Sequence, residues 1–256
     1  MAVLETKTEG HVLHMVLNRS EKMNAFNLEM LWALADAYTQ LEAQDELRCG
    51  VLYAQGDHFT AGLDLGEVGP YVKSGNPLFP IDKIDPTQIQ GRKRTKPIVM
   101  AVQGYCLTLG MELILAADIC IAATQTKFGQ IEIKRGIFPF CGATIRLMQR
   151  AGWGNAMRYL LTGDMFDAQE ARRIGLVQEV SEDPIATAIQ IANTISQQAP
   201  LGVYATLKNA QQVLDEGETA AKEALIPAAI ELMNSEDAQE GLQSFLERRE
   251  AKFEGR

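Results

Sequence analysis

Two glutamates stand in stretches of the chain that are otherwise apolar. Glu112 is the one charged residue in the segment 107–117, LTLGMELILAA, and Glu132 follows the segment 128–131, FGQI. A carboxylate buried without a partner is costly, so each glutamate must be neutral, paired or facing a cavity. Brought together, the two would suit acid–base chemistry on one substrate. Separately, each would be an ordinary salt-bridge or helix-capping carboxylate, and the spacing along the sequence leaves both interpretations open.

Two loops beside these glutamates could present backbone N–H groups. The segment His58–Leu65 follows a predicted strand with a turn of small residues, and Thr108–Gly110 opens the predicted helix that bears Glu112. Unsatisfied amides at a helix N-terminus bind negative charge. The alternative is that Gly62 and Gly110 are needed for steric reasons in tight turns.

Motifs for several other chemistries are missing. The sequence has no GxxxxGK[ST] loop and no GxSxG elbow, and its one Gly-x-Gly, at 152–154, lacks a third glycine. The histidines form no HExxH pair and the cysteines no CxxC pair, so we expect no metal site and reduced, buried thiols. The residues concerned are His11, His14, His58, Cys49, Cys106, Cys120 and Cys141.

The composition is typical of a globular protein of 256 residues, with 46% hydrophobic and 22% charged residues. A formal net charge of −9 argues against a surface for nucleic acid or anionic membranes. The longest uncharged run, Pro97–Met111, is too short to span a bilayer, and residues 1–10 do not have the pattern of a signal peptide. We therefore predict a cytoplasmic protein with no nucleic-acid or membrane partner.

The elements that position these residues alternate between strands and helices in the first half of the chain. Apolar patterning predicts strands at 11–18, 50–54, 97–102 and 118–123, and helices that begin after Asn27 and at Leu109. The segment 69–86, which contains four prolines, is predicted to be a surface excursion rather than packed structure. This rhythm predicts an α/β core with buried strands.

From Gly142 onward the pattern becomes helical. Helices are predicted at 143–150, 155–161 and 168–174, then a short strand at 176–180, then helices to the last residue. The final helix, 236–252, is predicted to turn Leu242, Phe245 and Leu246 inward. We expect a core of residues 1–195 and a C-terminal helical region of residues 196–256.

Four motifs resemble those of the crotonase (enoyl-CoA hydratase/isomerase) superfamily. They are FTAGLDL at 59–65, GYCLTLGMEL at 104–113, FGQIEIKRGIFP at 128–139 and LTGDMFDAQEARRIGLVQEV at 161–180. The turn NRSEKMNA at 18–25 is also similar to that family's opening turn. The resemblance implies a spiral of ββα units, a homotrimer or a hexamer made of two trimers, and an acyl-CoA thioester as substrate. It implies no separate cofactor, since coenzyme A is part of the substrate, and it assigns trimerisation to residues 196–256.

The resemblance also implies roles for individual residues. The backbone N–H groups of Leu63 and Leu109 would bind the thioester carbonyl, and Glu112 and Glu132 match the two glutamates of the hydratase. Coenzyme A would be bound by Lys22, Met23, Ala25, Ala61, Leu63, Asp64 and Leu65, and by Phe253 of a neighbouring subunit.

Departures from the family pattern lie close to these residues. Leu109 and the preceding Thr108 replace glycines, and Phe140, after Pro139, replaces another. Leu109 would narrow the acyl pocket, and the Phe140 ring would reshape it or displace the water. The favoured activity is reversible syn addition of water to a 2-enoyl-CoA, with Glu112 acting on water and Glu132 on the Cα proton. The alternatives are a double-bond isomerase or hydrolase on the same fold, or a non-catalytic assembly or RNA-binding relative.

Overall fold

The computed structural model describes residues 2–256, which form nine strands and ten α-helices. The strands are β1 Leu4–Glu9, β2 Val12–Leu17, β3 Cys49–Ala54, β4 Ile98–Val102, β5 Tyr105–Leu107, β6 Ile119–Ala123, β7 Lys127–Gly129, β8 Phe166–Asp167 and β9 Glu179–Ser181. The helices are α1 Leu28–Ala43, α2 Leu65–Lys73, α3 Leu109–Ala116, α4 Ala143–Ala151, α5 Trp153–Thr162, α6 Ala168–Arg173, α7 Pro184–Ser196, α8 Pro200–Glu216, α9 Glu218–Met233 and α10 Glu236–Glu247. Short 3₁₀ turns form at Ser20–Lys22 and Glu132–Arg135.

The main sheet is buried on both faces. Its strand order is β1-β2-β3-β4-β6-β9, with β1 antiparallel to β2 and the other neighbours parallel. Along β2, Leu13 and Met15 join one apolar cluster and Val12 and Val16 join the other, because successive side chains point to opposite faces. Helix α1 belongs to the first cluster and α7 to the second. Covering helices on both faces are typical of parallel sheets, and the predicted α/β core is confirmed.

A second, small sheet contains the strands that follow β4 and β6 of the main sheet. Strand β4 leads directly into β5, and β6 into β7, and the small sheet has the order β5-β7-β8. Isolated bridges join Phe26 to Leu63 and Thr60 to Cys106, so earlier turns of the chain align with this sheet. Each turn therefore stacks on the one before it, and the chain winds as the predicted spiral of ββα units.

The predicted strands and the early helices are present with small shifts at their ends. Asn27 caps α1 as predicted, because its side-chain oxygen accepts a hydrogen bond from the Met30 N–H at 3.0 Å. Strand β1 was not predicted, since Leu4 is its one buried residue and a polar edge strand has no apolar alternation. The four cysteines are buried free thiols, as expected.

The predicted surface excursion at 69–86 is wrong. Helix α2 occupies its first part, and Leu78, Phe79 and Ile84 are buried in the main apolar cluster. The prolines interrupt regular backbone hydrogen bonding in this segment, but the apolar side chains between them are still buried in the core. The buried Asp85 fixes the following turn by accepting hydrogen bonds from the backbone N–H groups of 87, 89 and 90.

The C-terminal helices leave apolar faces uncovered in the single chain. The prediction that Leu242, Phe245 and Leu246 turn inward is wrong, since they are 64%, 80% and 70% exposed, and α10 ends at Glu247. Helix α9 likewise exposes Ile226 and Met233. None of the helices within residues 2–256 is long and apolar enough to cross a bilayer.

Candidate active site

Glu112 lies on α3, every residue of which is buried. Its Oε1 atom accepts hydrogen bonds from the N–H groups of Cys141 at 2.7 Å and Ala143 at 3.2 Å, at the start of α4. Burial raises the pKa of Glu112 to about 7, although these N–H groups favour the ionised form. A carboxylate with such a pKa exchanges protons readily near neutral pH.

Glu132 begins the 3₁₀ turn after β7 and is also buried. Burial raises its pKa to about 7, and the charge of Glu112 adds to the increase. With its amide nitrogen toward the carboxylate, Gln130 donates to the two Glu132 oxygens at 2.9 and 3.0 Å. Both glutamates are therefore buried side chains with a raised pKa, and an acid–base role for the pair stays a prediction.

Parallel pairing of β5 with β7 places the two glutamates on neighbouring segments of the chain. The two strands end at Leu107 and Gly129, and each glutamate follows within a few residues of its strand end. Since parallel strands end at the same edge of a sheet, α3 and the Glu132 turn start side by side. The Thr108 N–H donates to the Gly129 carbonyl at 2.9 Å and extends this pairing to the start of α3.

The N–H groups of Leu63 and Leu109 lie on adjacent loops. The Thr60 N–H donates to the Tyr105 backbone carbonyl at 2.9 Å, and the Leu107 N–H donates to the Thr60 backbone carbonyl at 3.1 Å. These two hydrogen bonds hold the loops together. Leu109 is the first residue of α3, so its N–H has no partner within the helix. Within residues 2–256, neither N–H group donates a hydrogen bond. The pair forms a candidate oxyanion site.

The structure supports the steric explanation for the glycines. A Cβ atom on Gly62 would lie 1.9 Å from Oγ1 of Thr108, and a Cβ atom on Gly110 would lie 2.5 Å from Cγ2 of Thr60. Gly62 also has φ of +99°, which side chains disfavour. The two loops approach closely because these positions carry no side chain.

Comparison with known proteins decides the family. The family described as "Enoyl-CoA hydratase/isomerase" matches residues 7–256. The chain belongs to the enoyl-CoA hydratase/isomerase (crotonase) family. Among curated members, it is 32% identical to enoyl-CoA hydratase EchA19 of Mycobacterium tuberculosis, over 96% of this chain and 94% of that one. It is 31% identical to 1,2-epoxyphenylacetyl-CoA isomerase of Escherichia coli, with both chains covered completely.

Solved structures of the family share the fold. A probable enoyl-CoA hydratase/isomerase from Mycobacterium abscessus superposes with a TM-score of 0.96 at 51% identity, covering 99% of both chains. Enoyl-CoA hydratase from Mycobacterium tuberculosis H37Rv gives a TM-score of 0.89 at 30% identity, with full coverage of both chains. Hydratases and isomerases both occur among these relatives, so the comparisons support an acyl-CoA enzyme of the crotonase family.

Most of the residues predicted to bind coenzyme A form one surface. The Ala61 N–H donates to the Met23 carbonyl at 2.9 Å, which joins the turn 18–25 to the loop 61–65. Lys22, Met23 and Leu65 are exposed on this surface, while Ala25, Ala61, Leu63 and Asp64 are partly buried.

Two further residues support that surface, and the resemblance did not assign them. The Arg19 guanidinium pairs with the Asp64 carboxylate at 3.1 Å and donates to the Ala25 carbonyl at 2.8 Å. The buried Asn24 amide donates to the carbonyls of Gln55 and His58, at 2.9 and 2.8 Å. Both belong to NRSEKMNA, but a polar turn of this composition does not distinguish structural residues from exposed ones.

Phe253 lies away from the glutamate pair within this chain. Its carbonyl accepts a hydrogen bond from Arg48 at 2.7 Å, and its ring lines a cavity of about 620 Å³ together with Pro97 and Asp118. Arg48, Pro97 and Asp118 precede β3, β4 and β6, whereas the candidate site follows the ends of strands. The structure therefore does not bring Phe253 into its own subunit's site.

Phe140 lines a cavity of about 180 Å³ next to the backbone N–H that binds Glu112. Phe79, Thr87 and Cys141 also line this cavity, and the Cys141 N–H is the group bound to Glu112. The Phe140 side chain is partly exposed, whereas its neighbour Cys141 is buried. No cluster of three or more metal-ligating side chains is found in residues 2–256.

Proposed function

We propose that this protein is an enoyl-CoA hydratase that adds water reversibly to a 2-enoyl-CoA thioester. The observation that carries the proposal is that Glu112 and Glu132 are both buried, follow the paired strands β5 and β7, and each have the pKa raised to about 7. Two carboxyl groups poised in this range supply a base and an acid at the same pH. Relatives named as hydratases, including 2,3-dehydroadipyl-CoA hydratase of Escherichia coli at 30% identity, support this choice.

The proposed mechanism assigns the base role to Glu112. Two backbone N–H groups donate to its carboxylate and favour the ionised form, which can take a proton from water. The water oxygen bonds to Cβ while the electrons of the C=C bond move toward the carbonyl, and Glu132 gives its proton to Cα. A positioned acid or base of this kind contributes ~10²–10⁴-fold in rate.

The thioester oxygen gains negative charge during this addition. The N–H groups of Leu63 and Leu109 would donate to it, and removing one such donor typically costs ~10²–10³-fold in kcat. A leucine side chain leaves the backbone N–H of Leu109 in place, because the donor is the peptide itself. The substitution of leucine for glycine changes the space for the acyl group instead.

Coenzyme A would lie along the surface formed by the turn 18–25 and the loop 61–65. The exposed ammonium of Lys22 suits a phosphate, and Met23 and Leu65 offer apolar contact to the adenine. We propose that residues 196–256 form the trimerisation region, which would cover the exposed apolar side chains of α9 and α10. A neighbouring subunit would then supply Phe253.

Double-bond isomerisation is the second candidate. Phe140 supports it, because this residue immediately precedes Cys141, whose N–H binds Glu112, and a bulky group near that carboxylate would exclude water. An isomerase would use the same oxyanion site and would move one proton between carbon atoms of the acyl chain.

Crotonyl-CoA and 3-hexenoyl-CoA distinguish these activities. A hydratase removes the enoyl absorbance of crotonyl-CoA and yields a product heavier by one water, measured by mass spectrometry. An isomerase converts 3-hexenoyl-CoA to the conjugated isomer without a change in mass. Thioester cleavage without either product would contradict both candidates.

A further inference from the structure

Thr108 has a backbone conformation that its side chain disfavours. Its φ is +48° and its ψ is −113°, and it is the residue before the first turn of α3. A β-branched residue with positive φ is an outlier, and glycine adopts this conformation without strain. Strain of this kind persists only where the surroundings hold the residue in place.

Backbone hydrogen bonds on both sides hold Thr108. Its N–H donates to the Gly129 carbonyl at 2.9 Å, and its own carbonyl accepts from the Glu112 N–H at 3.1 Å. The residue therefore connects the β5–β7 pairing to the helix that carries the proposed base. Its conformation is fixed by the path of the chain from β5 into α3.

The Thr108 side chain packs directly on Gly62. Its Oγ1, Cβ and Cγ2 atoms lie 1.9, 3.2 and 3.5 Å from the point where a Gly62 Cβ would be. Gly62 precedes Leu63 and Thr108 precedes Leu109, so this contact joins the two peptides that carry the N–H donors.

We infer that Thr108 is a positioning residue that sets the separation of the Leu63 and Leu109 N–H donors. The inference rests on the proposed oxyanion site, and it explains why threonine stands where glycine would be unstrained. The γ atoms of Thr108 fill the space that Gly62 leaves open. Without them the two loops lose their side-chain contact, and the donors no longer converge as well on one oxygen atom.

The test uses a thioester that cannot react. Butyryl-CoA labelled with ¹³C at the carbonyl has no double bond to hydrate, and its carbonyl stretching frequency falls when the oxygen accepts hydrogen bonds. Isotope-edited infrared spectroscopy of the bound thioester therefore reports on the two donors without turnover. The variants are Thr108→Ala, which removes the γ atoms, Thr108→Gly, Thr108→Ser and the near-isosteric Thr108→Val.

We expect Thr108→Ala and Thr108→Gly to reduce the carbonyl shift and to lower kcat about 10-fold, while KM changes less than threefold. Thr108→Ser and Thr108→Val, which keep a γ atom, should retain most of the shift and of kcat. Thr108→Gly should also raise Tm, because it relieves the backbone strain. Thr194→Ala, which removes an exposed hydroxyl on α7 that donates to Gln190, is the matched control and should change neither quantity.

Some outcomes would overturn the inference. An unchanged carbonyl shift in the alanine and glycine variants would show that the contact does not position the donors. A shift lost in the valine variant as fully as in alanine would make the hydroxyl itself a donor to the thioester. A wild-type protein that shifts the butyryl-CoA carbonyl but does not hydrate crotonyl-CoA would contradict the hydratase proposal and leave the role of Thr108 intact.

Discussion

The carboxylate of Glu112 and the backbone N–H of Cys141 are joined by a hydrogen bond of 2.7 Å. This bond links α3 to the segment that enters α4, and Phe140 is the residue immediately before the donor. Phe140 therefore shares the peptide unit that donates to the proposed base. Changes at the ring and at the carboxylate are expected to affect each other, as residues that share a partner usually do.

Replacing either glutamate with glutamine tests the two-acid mechanism. Glu112→Gln and Glu132→Gln should each lower kcat by ~10²-fold or more, because an amide keeps the size of the side chain but cannot exchange the proton. The dissociation constant of coenzyme A should change little, since neither side chain belongs to the predicted coenzyme A surface. A variant with near wild-type turnover would show that its glutamate is structural.

The raised pKa of Glu112 predicts a specific dependence of stability on pH. The carboxyl group holds its proton up to about pH 7 in the folded protein but ionises near its ordinary pKa of 4.5 in the unfolded chain. Between these values the folded state binds more protons, so stability falls as the pH rises, and it levels off above about pH 7. A shift of this size corresponds to roughly 3 kcal/mol.

Glu112→Gln removes this titration and provides the comparison. The Tm of the wild type, measured relative to that of the glutamine variant, should fall between about pH 4.5 and 7 and then stay constant. Carboxyl groups distant from Glu112 titrate alike in both proteins and cancel in the difference. Glu132 does not cancel, because the Glu112 charge raises its pKa in the wild type, and it adds to the fall over the same pH range. A difference in Tm that is independent of pH would mean that Glu112 ionises in the folded protein as it does in the unfolded chain.

The sequence predicts the longer buried strands and the two glutamates, but not the pairing of short strands that places the glutamates on neighbouring segments. The buried strands are visible because each is a short apolar run between polar turns. The spacing of Glu112 and Glu132 along the sequence does not indicate that they lie on neighbouring segments. Their placement depends on the pairing of β5 with β7, two strands of three residues each. Strands this short have too few residues to show a period. The family resemblance, and not the apolar pattern, assigned both glutamates to one site.

The wrong prediction for α10 has a different cause. Leu242, Phe245 and Leu246 recur at helical spacing, which is the pattern of a helix that packs on a core. A helix that packs on another subunit has the same pattern, and a single sequence does not separate the two cases. The prediction for segment 69–86 is wrong for the opposite reason. Its prolines indicated an exposed loop, although the apolar residues between them are buried.

The exposed side chains of α10 predict an oligomer. Sedimentation should give a trimer or a hexamer, and Phe245→Asp should shift it toward monomer, because a charge would be buried in the interface. Gln243→Asp, at an exposed polar position on the same helix, is the control and should leave the assembly unchanged.

Coenzyme A binding should follow the assembly, since Phe253 lies away from the site of its own subunit. Phe253→Ala should weaken binding of coenzyme A without dissociating the trimer. A monomer that binds coenzyme A with full affinity would contradict both the trimerisation region and the role of Phe253.

Phe140→Gly tests whether the ring shapes the acyl site. The ring lines the cavity of about 180 Å³ next to the backbone N–H that binds Glu112, and glycine would enlarge that space and free the adjacent backbone. We expect faster hydration of crotonyl-CoA, or a wider range of acyl chains, with an effect of about 1–3 kcal/mol on kcat/KM. The affinity for coenzyme A should not increase, because the coenzyme A surface lies on other loops. Steady-state kinetics on enoyl-CoA thioesters of increasing chain length measure this, and an unchanged chain-length profile would show that the ring does not limit the acyl group.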